Sequence, residues 1–153
     1  IPHPPNFTPI IASAIFGPLI LNDRLYGIAI PVFAMFISDL IIGFHSYQFI
    51  IYLTLISIGI LVPLNNKILF LSISSISASL WFFIVTNFFV WLMWDYYTKD
   101  LNGLISCYFL ALPFFYNTLI STIFFVYLFK FLQKYLQKIQ IKTDLIFVKL
   151  SNR

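Results

Sequence analysis

Five long apolar runs, separated by short polar breaks, set the limits on what this chain can fold into. Residues 7–21, 25–44, 47–64, 68–94 and 101–129 are almost continuously apolar, with Asn22-Asp23-Arg24 and Asn65-Asn66-Lys67 among the breaks. About 20 apolar residues in helical form cross about 30 Å of hydrocarbon. A helix also satisfies its own backbone where no water can reach it. The runs therefore predict an all-α fold, a polytopic transmembrane helical bundle of five spans over residues 1–129, with a tail over 130–153. A soluble domain of this length still exposes about a third of its unfolded surface. With 61% hydrophobic residues, 9% charged residues and a mean hydropathy of +0.95, this chain lacks the polar surface to cover such an area.

Prolines mark where those spans depart from regular helix. The first run is short and carries Pro9 and Pro18, the second carries Pro31, and the fifth carries Pro113. Proline removes a backbone donor and crowds the preceding turn. A kink is expected at Pro113, and a reading of residues 101–129 as two segments stays open.

Basic residues give the orientation, because Lys and Arg gather in cytoplasmic loops. With five spans and an inner C-terminus, Arg24, Lys67, Lys130, Lys134, Lys138, Lys142, Lys149 and Arg153 fall inside and Lys99 alone falls outside. That split places the protein in a bacterial inner membrane or the mitochondrial inner membrane, C-terminus on the cytoplasmic or matrix side. Lys130, Lys134 and Lys138 recur every four residues beside Phe131, Leu132, Tyr135 and Leu136. Such a stripe continues the last span as an amphipathic helix suited to anionic membrane lipid, with docking to a partner protein as the alternative. The same concentration of charge at a membrane face speaks against nucleic acid as a partner.

On this topology the opening stretch IPHPPNFT, the turn at His45 and the loop 95–100 share the outer face. Asp39 lies six residues before His45, about 9 Å by helical rise, and Asn87 eight residues before Asp95, about 12 Å. An aspartate within a span costs about 2.5–3.5 kcal/mol on insertion scales, so Asp39 needs a partner, a cavity or a proton. Pairing with His3 or His45 is one solution; contact with a solute or ion is the other. Asn87 and Trp91 stand four apart on one helical face, where an amide can fix a polar edge and an indole can stack on a flat ring. Tyr108, with Asn102 and Asn117, can join them from the fifth span. Asn6 is expected to face the cavity from above, as part of its lid. The candidate solute-binding residues are thus Asn6, Asp39, His45, Asn87, Trp91 and Tyr108.

Catalytic and metal chemistry lack a pattern here. Histidines number two and carry no helical ligand spacing, and Gly totals 5, with no phosphate-binding loop and no triad order. The single Cys107 excludes an internal disulfide and a cysteine zinc site. Neither an enzyme, nor a metal, nor a cofactor is expected.

The runs PHPPNFTPI, ASAIFG, PVFAMFISDLIIGFH, FFIVTNFFVWL and GLISCYFLALPFFYNTL, in that order, resemble a group of small bacterial transport proteins. That group is similar to the substrate-capture (S) components of energy-coupling factor vitamin transporters. The resemblance implies a six-helix bundle, hence one further helix before Ile1. It also implies capture of a vitamin-like or cofactor-precursor solute from outside, for delivery to a transmembrane partner subunit and its ATPases. In that family small residues of the first helix serve docking as Ala-x-x-x-Ala. Here Ala12 is followed by Phe16 at that spacing and Ser13 by Gly17, which makes Ala12, Ser13 and Gly17 the partner-docking candidates. A rival expectation, from another class, is a non-transporting accessory subunit of a large membrane complex such as a respiratory one.

Overall fold

A computed structural model describes residues 4–44 and 46–151, with side chains described as far as Ile141. Among them the chain forms five helices: α1 (Ile10–Leu21), α2 (Arg24–Ile42), α3 (Gln48–Leu61), α4 (Ile68–Met93) and α5 (Leu101–Ser151). Three of them, α2, α4 and the 101–141 part of α5, are long and apolar enough to cross a membrane; α1 and α3 are shorter apolar helices. The protein is an all-α integral membrane bundle, as the five apolar runs predict.

The shortest helix forms the centre. α1 packs against each of the other four helices. Ala12, Ala14, Ile15 and Phe16 have no exposed surface, and Leu55, Ile58, Leu71 and Val126 complete the core around them. Small side chains on α1 let a neighbour's backbone come close, which is how helices associate where lipid is as apolar as leucine. At the α1–α2 crossing that approach reaches backbone against backbone. A Cβ on Gly17 would stand 2.5 Å from the Gly27 carbonyl oxygen, and a Cβ on Gly27 would stand 2.2 Å from the Pro18 nitrogen. Both positions therefore require glycine.

Polar residues at the breaks close the helix ends. Asn22 takes the left-handed conformation (φ 53°) that ends α1, and Asp23 caps α2 by accepting the Tyr26 N–H at 3.1 Å. Arg24 then reaches across to the last turn of α3, where its guanidinium donates to the carbonyls of Gly59, at 2.9 Å, and Ile60. Those carbonyls have no partner inside their own helix, and a cation suits the negative end of the helix dipole. At the far end of α4, Lys99 donates to the carbonyls of Trp91 and Trp94 in the same manner. Asp100 caps α5, accepting Gly103 N–H and the Thr98 hydroxyl, each at 2.7 Å.

α5 runs unbroken through Pro113 and on past Phe129, which decides for one segment over two. Its 51 residues correspond to about 75 Å, over twice the hydrocarbon thickness. Residues 130–141 remain helical with Phe131, Leu132, Tyr135 and Leu136 exposed, and Gln133 meets Asn66 of the α3–α4 loop at 3.0 Å.

Candidate interior binding cavity

The chain just ahead of α1 is a turn held at depth. Phe7 N–H donates to Pro4 O at 3.1 Å across Pro5 and Asn6, and Asn6 is left-handed at φ 62°. Proline second and asparagine third are the residues a type II turn requires, since proline presets φ and asparagine tolerates its positive value. α5 clamps this turn: Asn117 donates its amide to Pro5 O at 3.1 Å, and Ser121 donates to Asn6 O at 3.4 Å. Phe7 packs on Phe124 and Phe125, with ring centroids 6.2 and 5.9 Å away. Asn117 stands 16 residues into α5, about 24 Å along the helix from Leu101. The turn therefore lies alongside the middle of α5, with Pro4, Pro5 and Asn6 exposed. α1 itself, at 12 residues, covers only about 18 Å.

Non-helical backbone at such depth is tolerated where it is buried in protein or lines a cavity. Here it lines one. Two adjoining cavities of about 150 and about 180 Å³ share Asn6, Ile51, Phe82 and Thr118 in their walls. The first also takes in Tyr47, Phe83, Thr86, Asn87 and Phe115, the second Thr8, Met35 and Ser121. Tyr47, held edge-on by Trp94 at 5.0 Å, stands where α3 begins beside the end of α4, so the aromatic pair marks the mouth, while Asn6, itself exposed, lines both cavities. Elsewhere, hollows of about 410 Å³ between α3 and α4 and about 420 Å³ between α2 and α3 have almost wholly apolar walls. Those fit acyl chains but provide little to orient a polar solute.

Asn6 and Asn87 are brought together by the fold, as the sequence suggests. Asp39 is not with them. It is 6% exposed and accepts a hydrogen bond from the Tyr52 hydroxyl on α3, so its need for a partner is met within the chain. Trp91 donates its indole N–H to Thr98 O at 2.8 Å and serves the α4–α5 loop. Tyr108 donates to Ile84 O at 2.7 Å and sets its ring edge against Phe83, behind the cavity wall. His3 and His45 lie outside the described residues. Ala12 and Gly17 are buried within the bundle, and the Ser13 hydroxyl donates back to Pro9 O at 2.9 Å, so the small face of α1 is occupied by the chain's own helices. Thr118, Ser121, Phe82 and Thr86 do not stand out as single residues. Their signal is spacing: Thr118, Ser121 and Thr122 follow at i, i+3 and i+4 within an apolar run, marking a face turned to the interior.

Among the described residues no cluster of three metal-ligating side chains occurs. The fold and cavity define a small polytopic helical membrane protein with a polar-and-aromatic interior chamber. The chain belongs to a family of unknown function, DUF6580, which it matches over residues 1–142. No curated protein and no solved structure matches it.

Proposed function

We propose that the protein is a solute-capturing membrane component, similar in role to the S components of energy-coupling factor transporters, and that the Asn6–Asn87 cavity takes a small vitamin-like or cofactor-precursor solute. The observation that carries this reading is the convergence of two carboxamides on one aromatic-walled chamber. Asn6 comes from a proline turn ahead of α1, Asn87 from α4, and Phe82, Phe83 and Phe115 supply flat faces between them. A chamber of this build orients a planar molecule by its polar edge. The mouth at Tyr47 and Trp94 lies on the face that the basic-residue count makes the outer one, with the membrane being a bacterial or mitochondrial inner membrane. Ligand-dependent thermal shift and uptake across flat nitrogenous vitamins and their precursors test the reading. Expected is a shift with at least one solute, lost in Asn6→Ala and Asn87→Ala; silence from every solute would refute it.

A second reading, an accessory subunit of a larger membrane complex, draws support from α5. Beyond Phe129 the helix exposes Phe131, Leu132, Tyr135 and Leu136, apolar surface that a partner subunit or an anionic lipid surface beside Lys130, Lys134 and Lys138 would cover. Purification from native membranes separates the two. Stoichiometric co-migration with a respiratory-type complex favours the subunit, whereas recovery with ATPase partners favours capture.

A further inference from the structure

We infer that the ligand of the Asn6–Asn87 cavity is an uncharged planar molecule that presents hydrogen-bond donors, with a primary carboxamide or amino-heteroaromatic group as the fitting chemistry. This rests on the solute-binding reading and narrows it. The first observation is charge. Of the described residues lining the two cavities, none is Asp, Glu, Lys, Arg or His. An ion taken from water into such a site would meet no countercharge among the described lining residues, and burial of an unpaired ion is far more costly than burial of a hydrogen-bonded neutral group. Asp39, the acid nearest in character to a countercharge, is turned to Tyr52 and stays outside both walls.

The second observation is the direction of the hydrogen bonds. Thr86 donates to Phe82 O at 2.7 Å and Thr118 to Phe114 O at 2.8 Å, while Ser121 shares its one proton between Thr118 O at 3.0 Å and Asn6 O at 3.4 Å. A hydroxyl that has given its proton to a helix carbonyl has only lone pairs left for a guest. Asn87 donates one N–H through Nδ2 to Phe83 O at 2.8 Å, an arrangement that fixes its amide and leaves Oδ1 as acceptor beside one further N–H. The chamber is thus rich in acceptors, and the carboxamide of Asn6, unengaged among the described residues, adds a further acceptor and two N–H groups. A guest made of acceptors alone would leave most of the wall unpaired.

The third observation is size: a 150 Å³ cavity holds a benzene-sized ring, and the first chamber has about 150 Å³ with the second beside it.

Four probes of one shape test the inference on the purified full chain: benzamide, benzoate, benzamidinium and N,N-dimethylbenzamide. Benzamide is expected to bind, by thermal shift and equilibrium titration, at least about 10-fold tighter than each of the other three. Asn87→Asp, which places a carboxylate at nearly unchanged shape, is expected to move the preference toward benzamidinium. Should that variant fail to fold, the four-probe comparison on the unaltered chain decides alone. Benzoate, benzamidinium or the dimethyl amide binding as well as benzamide overturns the inference, as does absence of any benzamide response. In those cases a thermal shift from the vitamin-like panel would leave the solute-binding reading standing, and silence there as well would remove both.

Discussion

The first apolar run divides into two unlike halves, and the difference between them separates what holds the protein together from what it can bind. Residues 12–18 form helix that is buried at every position but Ser13, and its backbone touches a neighbouring backbone at Gly17 and Gly27. Residues 4–9 lie just ahead of them, in non-helical form, against hydroxyls and amides of α5 and beside two cavities. Apolar packing in lipid gains from closeness alone, so the first half is built from Ala and Gly. Irregular backbone at the same depth needs named partners, so the second half is met by Asn117 and Ser121.

Substitutions can break each half without the other. The largest effect is expected from Gly27→Val, since its side chain meets backbone at 2.2 Å and α1 cannot retreat from four neighbours; a loss of about 3 kcal/mol follows from overpacking of this kind. Thermal unfolding in detergent measures it, and an unchanged midpoint would mean that the crossing is not close. Asn117→Leu strikes the other half by removing the donor to Pro5 O, a hydrogen bond worth about 1 kcal/mol. Here ligand-dependent stabilisation should fall together with the midpoint.

Smaller effects sharpen the contrast. At Asn6, glycine preserves the positive φ and should change stability by under about 0.5 kcal/mol, whereas alanine should lose about 1 kcal/mol or more. Both remove the amide, so both should lose solute response if the side chain does the binding. The smallest effect concerns the loop above the mouth. Asp100 is held below the usual carboxylate range, chiefly by Gly103 N–H and then by the Thr98 hydroxyl. A depressed carboxyl stabilises the fold above its unfolded pKa, near the ordinary value of about 3.9, and that contribution fades as pH falls through the lower folded value. Tryptophan fluorescence should therefore report acid loosening of this loop, and Asp100→Asn should abolish that dependence.

Helix number and the positions of the breaks are legible in the sequence because lipid enforces long apolar runs and because Asn22, Asp23 and Asp100 are capping residues in capping places. Depth is not. Distance along a helix sets Asn87 below Asp95, but Asn6 precedes a helix too short to span, and its level depends on where α1 starts. Partner choice is equally illegible from spacing. Trp91, on the cavity-facing side by periodicity, gives its N–H to Thr98 O in a loop whose path no pattern announces. Asp39 finds Tyr52, a residue thirteen positions away on the next helix that apolar-run reasoning treats as filler.

The prolines of the turn ahead of α1 have one more consequence, visible by isotope labelling. Of residues 4–9, Pro4, Pro5 and Pro9 carry no amide hydrogen, and the N–H groups of Phe7 and Thr8 are engaged at 3.1 Å within the turn. Deuterium uptake in this stretch therefore comes down to Asn6, Phe7 and Thr8, a short set of clocks placed beside the chamber. A guest resting on Asn6 would slow them while leaving the glycine crossing of α1 and α2 silent, so occupancy would be readable at three backbone positions without any label on the ligand.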